Sequence, residues 1–325
     1  MAGVGSTEPR AQVPAWPAPE RMTVAVIGCG AVGSLFAANL ATLDDVEVWA
    51  YDLAREHVDA INRDGLRLTG AGEVTGRVRA TSEAAELPAC DFGIVATKTM
   101  HTDAAIAATA PAFAGGYVAT VQNGLGNEET LAQHVSRVIR GTTFPAGKIL
   151  EPGHVQWDVK GDTTFGPFGD TPIDAVQQLA DACTRGGMPA HAVEDARGPQ
   201  WRKVIFNAST NPIGALTGLT HGRVCERPDL RVLVSGLVDE GKAVAGAQGI
   251  VLDADPEELI DHAAKPEVAF DHKASMLQDV EARRQTEIDY LNGGIVRFGR
   301  EHGVPTPLNE AIWALVKGVE ASWQQ

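Results

Sequence analysis

A short apolar run, Thr23-Val24-Ala25-Val26-Ile27, ends in Gly28-Cys29-Gly30-Ala31-Val32-Gly33 and gives way to Ser34-Leu35-Phe36-Ala37-Ala38-Asn39-Leu40. This order of strand, glycine loop and helix constrains the fold more than any other feature of the chain. A G-x-G-x-x-G loop lets backbone approach a pyrophosphate, and the N-terminus of the following helix favours its charge. Alone, the pattern also describes a tight turn with no ligand. At the start of a βαβ unit it reads as a dinucleotide-binding loop, with Gly28, Cys29, Gly30, Ala31, Val32 and Gly33 as candidate cofactor contacts.

The residues that follow repeat the alternation. Strands are expected at 46–52, 92–97 and 117–121, and helices at 55–64, 102–110 and 173–185. Alternating strands and helices imply a parallel sheet covered on both faces, an α/β Rossmann domain. A stretch rich in Gly, Thr and aromatics, 155–168, is expected to add strands that close it. Strand signals stop near Glu194-Asp195-Ala196-Arg197-Gly198-Pro199, and helical periodicity runs on to Gln325. A chain of 325 residues accommodates two domains. The expected division is a dinucleotide-binding domain over 22–196 and an all-helical domain over 197–325. Residues 1–21, rich in Pro, Ala and Gly, lack the basic start and apolar centre of a signal peptide. They read as a disordered tail, or as a mis-set start with Met22 the functional beginning.

Composition narrows the partners. The net charge of −15 argues against a nucleic-acid surface but leaves room for an anionic small molecule in a cleft with its own lysines. No apolar run approaches the roughly 18 residues of a membrane span. Four scattered cysteines without a C-x-x-C suggest reduced thiols in the cytoplasm. The nine histidines show no metal-ligand spacing, so no metal is expected.

Candidate site residues fall where such a fold places ligands, outside the carboxyl ends of strands. Asp52 ends the second strand; a carboxylate there accepts hydrogen bonds from ribose hydroxyls and repels a 2′-phosphate, which favours NAD over NADP. Arg55, three residues on, is a candidate partner for that phosphate, and Asp52 is equally a solvated loop carboxylate. Lys98 follows one strand and Gln122-Asn123-Gly124 the next. Lys98 and Asn123 are candidate cofactor contacts, although a surface lysine and a turn-forming asparagine fit the same positions.

The run Trp201 to Pro212 sets Lys203, Asn207 and Asn211 four residues apart, along one edge of a helix. A cation and two amides suit a small anionic carbonyl compound. Lys203 can protonate the oxyanion left by hydride transfer, and the amides can hold it and orient substrate oxygens. On spacing alone the same edge is also the polar side of an amphipathic helix. Pro212 is expected to end or kink that helix near 208–211. A second cluster runs from Ser275-Met276-Leu277-Gln278-Asp279 to Thr286-Glu287-Ile288-Asp289-Tyr290-Leu291-Asn292-Gly293. Ser275 and Glu287 meet at one site only if the chain bends between them, and Glu287 also stands at i+4 from Arg283.

These motifs together resemble the ketopantoate reductase (2-dehydropantoate 2-reductase) family, over the chain from about Met22 to its C-terminus. The resemblance implies a Rossmann domain, an all-helical domain and an active cleft between them. It implies a cytoplasmic NADP- or NAD-dependent oxidoreductase reducing 2-dehydropantoate to (R)-pantoate, a step toward pantothenate and coenzyme A. Lys203 takes the position of the family's catalytic lysine, and Glu287 that of an acid near substrate and ribose. Asn207, Asn211 and Ser275 match substrate-binding positions, while Asn123 and Lys98 match cleft positions beside the cofactor. The family commonly carries a basic residue and uses NADPH where this chain has Asp52. Relatives of this architecture that act as NAD-dependent D-2-hydroxyacid dehydrogenases on branched or aromatic 2-oxo acids are therefore the alternative. A non-catalytic dinucleotide sensor on the same fold is a third reading. The assembly, monomer or homodimer, stays open.

Overall fold

A computed structural model describes residues 21–323; apart from Arg21, the expected N-terminal tail lies outside them. The first half runs β1 (Met22–Ile27), α1 (Ala31–Leu40), β2 (Val46–Tyr51), α2 (Arg55–Asp64), β3 (Leu66–Gly70), β4 (Val74–Gly76), β5 (Arg79–Thr81), β6 (Phe92–Val95), α3 (Thr102–Thr109), β7 (Tyr117–Thr120), α4 (Asn127–Ala132), β8 (Val138–Thr143), β9 (Ala146–Glu151), β10 (His154–Val159), β11 (Thr163–Phe168), α5 (Ile173–Arg185) and β12 (Ala190–Ala192). The rest is helical: α6 (Arg197–Thr217), α7 (His221–Cys225), α8 (Pro228–Ala247), α9 (Pro256–Ala263), α10 (Ser275–Glu281), α11 (Asn292–Glu301) and α12 (Pro307–Ser322).

The main sheet has the order β12-β11-β8-β7-β6-β1-β2-β5. Its strands from β5 to β8 are parallel, as the alternation requires. β1 is central and buried, and from it the chain leaves first toward β2 and later toward β6. That reversal opens a crevice at the carboxyl ends of β1 and β6, where ligands of open α/β sheets bind. The expectation of an all-parallel sheet fails at one place: β11 pairs antiparallel with β8. The 155–168 stretch also does not form one unit. β10 joins a second sheet of order β4-β3-β10-β9, which packs across α1. With a sheet on either side, α1 is buried from Gly33 to Leu40, and its sequence is correspondingly apolar almost all round.

Two hydrophobic cores lie under this architecture on the first-half side, around α1 and α5 and around α3. A third fills the helical half and includes Leu125, a residue of the loop after β7. The Leu125 amide donates to the Tyr290 carbonyl at 2.9 Å, so that loop is tied to the helical half by both backbone and side chain. No helix among the described residues is long and apolar enough to cross a membrane.

The helix does not end at Pro212. α6 continues from Arg197 to Thr217 with Pro212 inside it. Proline removes the amide that would bond the Ala208 carbonyl. Here Asn292 Nδ2 supplies the missing donor, at 2.9 Å from Ala208 O. Asn292 also donates to Asn309 Oδ1 at 2.9 Å, and Asn309 Nδ2 donates to Glu240 Oε2 at 2.7 Å. Asn292 and Asn309 are fully buried, so a side-chain network from α11, α12 and α8 repairs the proline's defect. The freed carbonyl is spent inside the helical core rather than offered to a cleft. Asn292→Ala orphans that carbonyl and is expected to lower the unfolding free energy by about 1–3 kcal/mol, measured by urea titration.

Candidate active site

The cofactor loop is built by sterics. Gly28 has φ +86°, a left-handed conformation, and a side chain there would strike the backbone of Thr97. A Cβ at Gly33 would collide with the Gly28 carbonyl, so this glycine lets α1 settle on β1. A Cβ at Gly30, in contrast, would meet nothing within 4 Å. The middle glycine therefore faces open space at a helix N-terminus whose first turn holds no acid, a cradle that fits a pyrophosphate. Asp52 lies beside it. Its Oδ2 accepts from the Cys29 amide at 2.8 Å and its Oδ1 from the Ala54 amide at 2.9 Å, which fixes the carboxylate at the end of β2. Arg55 turns instead to Glu83 at 3.6 Å. The Cys29 thiol is buried and pushed up to about 12, which leaves it chemically quiet.

Across the crevice, Lys203 reaches from α6 to the first half. Its Nζ donates to Asn123 Oδ1 at 2.8 Å and to the Thr143 carbonyl, and lies 5.6 Å from the centre of the Phe144 ring. Burial of the ammonium lowers its pKa from 10.5 to about 8, against a smaller upward influence from Glu287. Asn123 connects these two groups: its Nδ2 donates to Glu287 Oε2 at 3.2 Å while its Oδ1 receives the lysine. Glu287 Oε1 accepts from both the amide and the hydroxyl of Thr99, each at 3.1 Å. Glu287 and Thr99 are buried.

Lys98 closes the cluster. It donates to Asp279 Oδ2 at 2.6 Å and stands 4.0 Å from Glu287 Oε2, while Arg284 pairs with Asp279 at 3.2 Å. Three cations thus face two carboxylates, an excess of positive charge in a chain of net charge −15. Such a site favours a carboxylate ligand.

The structure brings some of the expected site residues together and leaves others apart. Lys203, Asn123, Glu287 and Lys98 come together. Lys98 is engaged by Asp279, not left facing the cofactor loop. The amide that holds Lys203 is Asn123, across the cleft, and not Asn207 or Asn211: a long side chain with a buried tip seeks acceptors away from its own helix. Asn207 and Asn211 lie one and two turns beyond Lys203 on α6, nearly buried. Asn207 makes no side-chain hydrogen bond to another described residue, and Asn211 takes only a long one, 3.4 Å, from Thr210. Ser275 is exposed at the start of α10 and joins no part of the hydrogen-bonded cluster. The chain does bend between Ser275 and Glu287, since α10 stops at Glu281 and Arg283 adopts φ +50°. Arg283 and Glu287 form no pair.

Three contributors went unread in the sequence. Asp279 sits one helical turn after Ser275, and Thr99 directly follows Lys98, so both had a positional signal. Thr143 acts through its main-chain carbonyl, which no side-chain pattern reveals.

Comparisons with known proteins bear on this geometry. The family model described as ketopantoate reductase PanE/ApbA matches residues 24–170, and its C-terminal counterpart matches residues 195–320. The 2-dehydropantoate 2-reductase of Pyrococcus abyssi is 32% identical over 92% of this chain and 98% of its own length. That of Archaeoglobus fulgidus is 33% identical over the same shares. A PanE/ApbA family ketopantoate reductase from Ralstonia eutropha superposes with a TM-score of 0.85 at 31% identity, covering 94% of this chain and 100% of that one. A D-mandelate dehydrogenase solved with NADH and anilino(oxo)acetate gives 0.86 at 28% identity, with the same coverage.

Glu287 is the charge that raises the Lys203 pKa. Glu287→Gln is expected to move that pKa below about 8, read from the pH dependence of competitive acetylation of the Lys203 peptide. A value unchanged or higher contradicts the electrostatic link.

Proposed function

The chain belongs to the ketopantoate reductase family, and on that premise we propose that it reduces 2-dehydropantoate to (R)-pantoate with a nicotinamide cofactor, Lys203 acting as general acid. The observation that carries the assignment is the buried ammonium of Lys203, held by Asn123 and the Thr143 carbonyl with a pKa of about 8. Two cores lie before and one after this stretch of chain, and we place the boundary between a dinucleotide-binding domain and a helical domain at about residue 196.

A bound nicotinamide cofactor would supply a hydride to the keto carbon. Everything else falls to the chain. Gly28 to Gly33 and the start of α1 would hold the pyrophosphate, and Asp52 the ribose. With Lys98 and Arg284 offset by Asp279 and Glu287, the remaining positive charge, that of Lys203, draws in the substrate carboxylate. The free amide of Asn207, with Asn211 beyond it, is placed to accept and donate hydrogen bonds along the α6 edge; Ser275 would join them by contact with substrate rather than with protein. As the carbonyl becomes an alkoxide, Lys203 delivers the proton, and its lowered pKa matches that task near neutral pH. Asn123 and Thr143 keep the ammonium aimed, and Glu287 steadies its charge.

Asp52 and the likeness to the NADH-bound D-mandelate dehydrogenase favour a second reading of the same site, an NAD-dependent dehydrogenase of another branched or aromatic 2-oxo acid. In either case we expect NADH to be preferred over NADPH. The scattered free thiols support a cytoplasmic setting.

Four measurements check these readings. Lys203→Ala is expected to lose about 10²–10⁴-fold in kcat, and near-native turnover rejects the assignment. With reduced cofactor saturating, kcat/KM for reduction should be flat below about 8 and fall above it, because the proton donor is lost as pH rises through the Lys203 pKa. Asp52→Asn should tighten NADPH binding by about tenfold or more relative to NADH, as a repelling charge is removed, read by fluorescence titration without turnover. A panel of 2-oxo acids assayed with both cofactors separates the two substrates.

A further inference from the structure

The mechanism above leaves one fully buried carboxylate unused. Glu128, on α4, is 1% exposed and lies outside the cluster around Lys203. Its Oε1 accepts from Gln200 Nε2 at 2.6 Å and from Arg140 Nε at 3.1 Å. Gln200 is on α6, three residues before Lys203. Arg140 is on β8, three residues before Thr143. The segment 123–128 therefore meets α6 at two points that β8 also touches. At one, Lys203 donates to both Asn123 and the Thr143 carbonyl; at the other, Glu128 forms a crosspiece that accepts from both Arg140 and Gln200.

We propose that the Arg140–Glu128–Gln200 crosspiece is a positioning device that fixes the rotation and height of α6 against the cofactor-binding half, so that Lys203 stays on Asn123 and Thr143. The inference rests on the reading of Lys203 as the proton donor, but its test does not.

Three observations support it. The crosspiece is dry on the side of Glu128, where burial raises the carboxyl's pKa and Arg140 opposes that rise. A hydrogen bond to a buried carboxylate is among the stronger ones available to a neutral amide. Second, the segment that carries Glu128 is tied back on itself and to the helical half: Asn127 Nδ2 donates to the Asn123 carbonyl at 3.0 Å, and Leu125 is tied to Tyr290. A shift at Glu128 is thus carried toward Asn123. Third, a cavity of about 270 Å³ lies beside it, lined by Glu128, Arg140, Gln200, Trp201 and Phe298 among others. α6 therefore has room to tilt once Gln200 lets go. Arg140 keeps a second contact over the Phe168 ring at 5.3 Å, so the strand end of the crosspiece survives loss of the helix end.

The test severs the helix end alone. Gln200→Met keeps the length and removes the donor; Gln200→Ala is the second variant, and melting temperature reports whether each folds. Neither residue touches substrate or cofactor in this arrangement. Freed from its place, the Lys203 ammonium gains water, while its charged neighbours Glu287 and Lys98 are unaltered. Competitive acetylation of the Lys203 peptide is then expected to report a pKa raised from about 8 toward the ordinary 10.5 in a folded variant. The break in kcat/KM for reduction should move up with it, and kcat should fall by about tenfold or more with KM for the cofactor unchanged. Glu128→Gln, which keeps an acceptor for Gln200, should retain a pKa near 8 for Lys203 if it folds. Folded Gln200 variants in which Lys203 still titrates at about 8 overturn the proposal, whatever their activity. If instead the labelling shifts while Lys203→Ala remains active, the crosspiece stands and the catalytic reading falls.

Discussion

The ammonium of Lys203 crosses from one half of the molecule to the other, and much of the structure serves to keep it there. Like the Lys98–Asp279 and Gln200–Glu128 contacts, it joins the helical half to the first half through a charge rather than through apolar packing. Removing an ammonium from water is costly unless its donors are met, and here a side-chain amide and a main-chain carbonyl meet them. The result is a cation that gives up its proton more readily than an exposed lysine. The loop after β7 supplies the amide, and its next residues pack into the helical core. The stability of that loop and the chemistry of the lysine are therefore one problem.

The charges around the lysine are arranged so that no single pair dominates. Glu287 is reached through Asn123, and Lys98 is held off by Asp279. A direct ion pair between Lys203 and Glu287 would hold the proton more tightly and pull the pKa upward. An intervening amide weakens that pull while still orienting both groups. The same economy appears at the glycine loop, where Asp52 is fixed by two backbone amides, one of them from Cys29 beside the open space at Gly30.

Much of this was legible in the sequence, and the reasons differ by residue. The β1–loop–α1 unit was legible because glycine spacing and apolar runs are local signals. Helix 173–185 was legible to the residue, since its buried face repeats with helical period and Gly186-Gly187 ends it. Lys203 was legible as a polar position on an apolar helix, but its partners were not, because they lie on strands and loops 60 and 80 residues away. Ser275 had a recognisable motif position and yet makes no side-chain hydrogen bond to another described residue, since motif position reports a ligand's needs as well as the protein's. The antiparallel β11 and the second sheet over α1 were illegible for the same physical reason: strand direction and partner choice are settled by tertiary packing, not by the strand's own residues. A helix end at Pro212 was a sound local inference that a distant asparagine helps to defeat.

That asparagine has a consequence for how the molecule is made. A helix normally closes its hydrogen bonds from residues already synthesised. α6 does not, because the donor for its Ala208 carbonyl stands 84 residues further along the chain. While the polypeptide is still emerging, the segment bearing Lys203 has a gap in its ladder that nothing nearby can fill. Only when α11 is out and docked does the helix become whole. The order of synthesis thus delays the finished helix until α11 has been made. A chain truncated before Asn292 carries every glycine of the loop after β1 and the lysine itself, but not the asparagine that completes the helix bearing it.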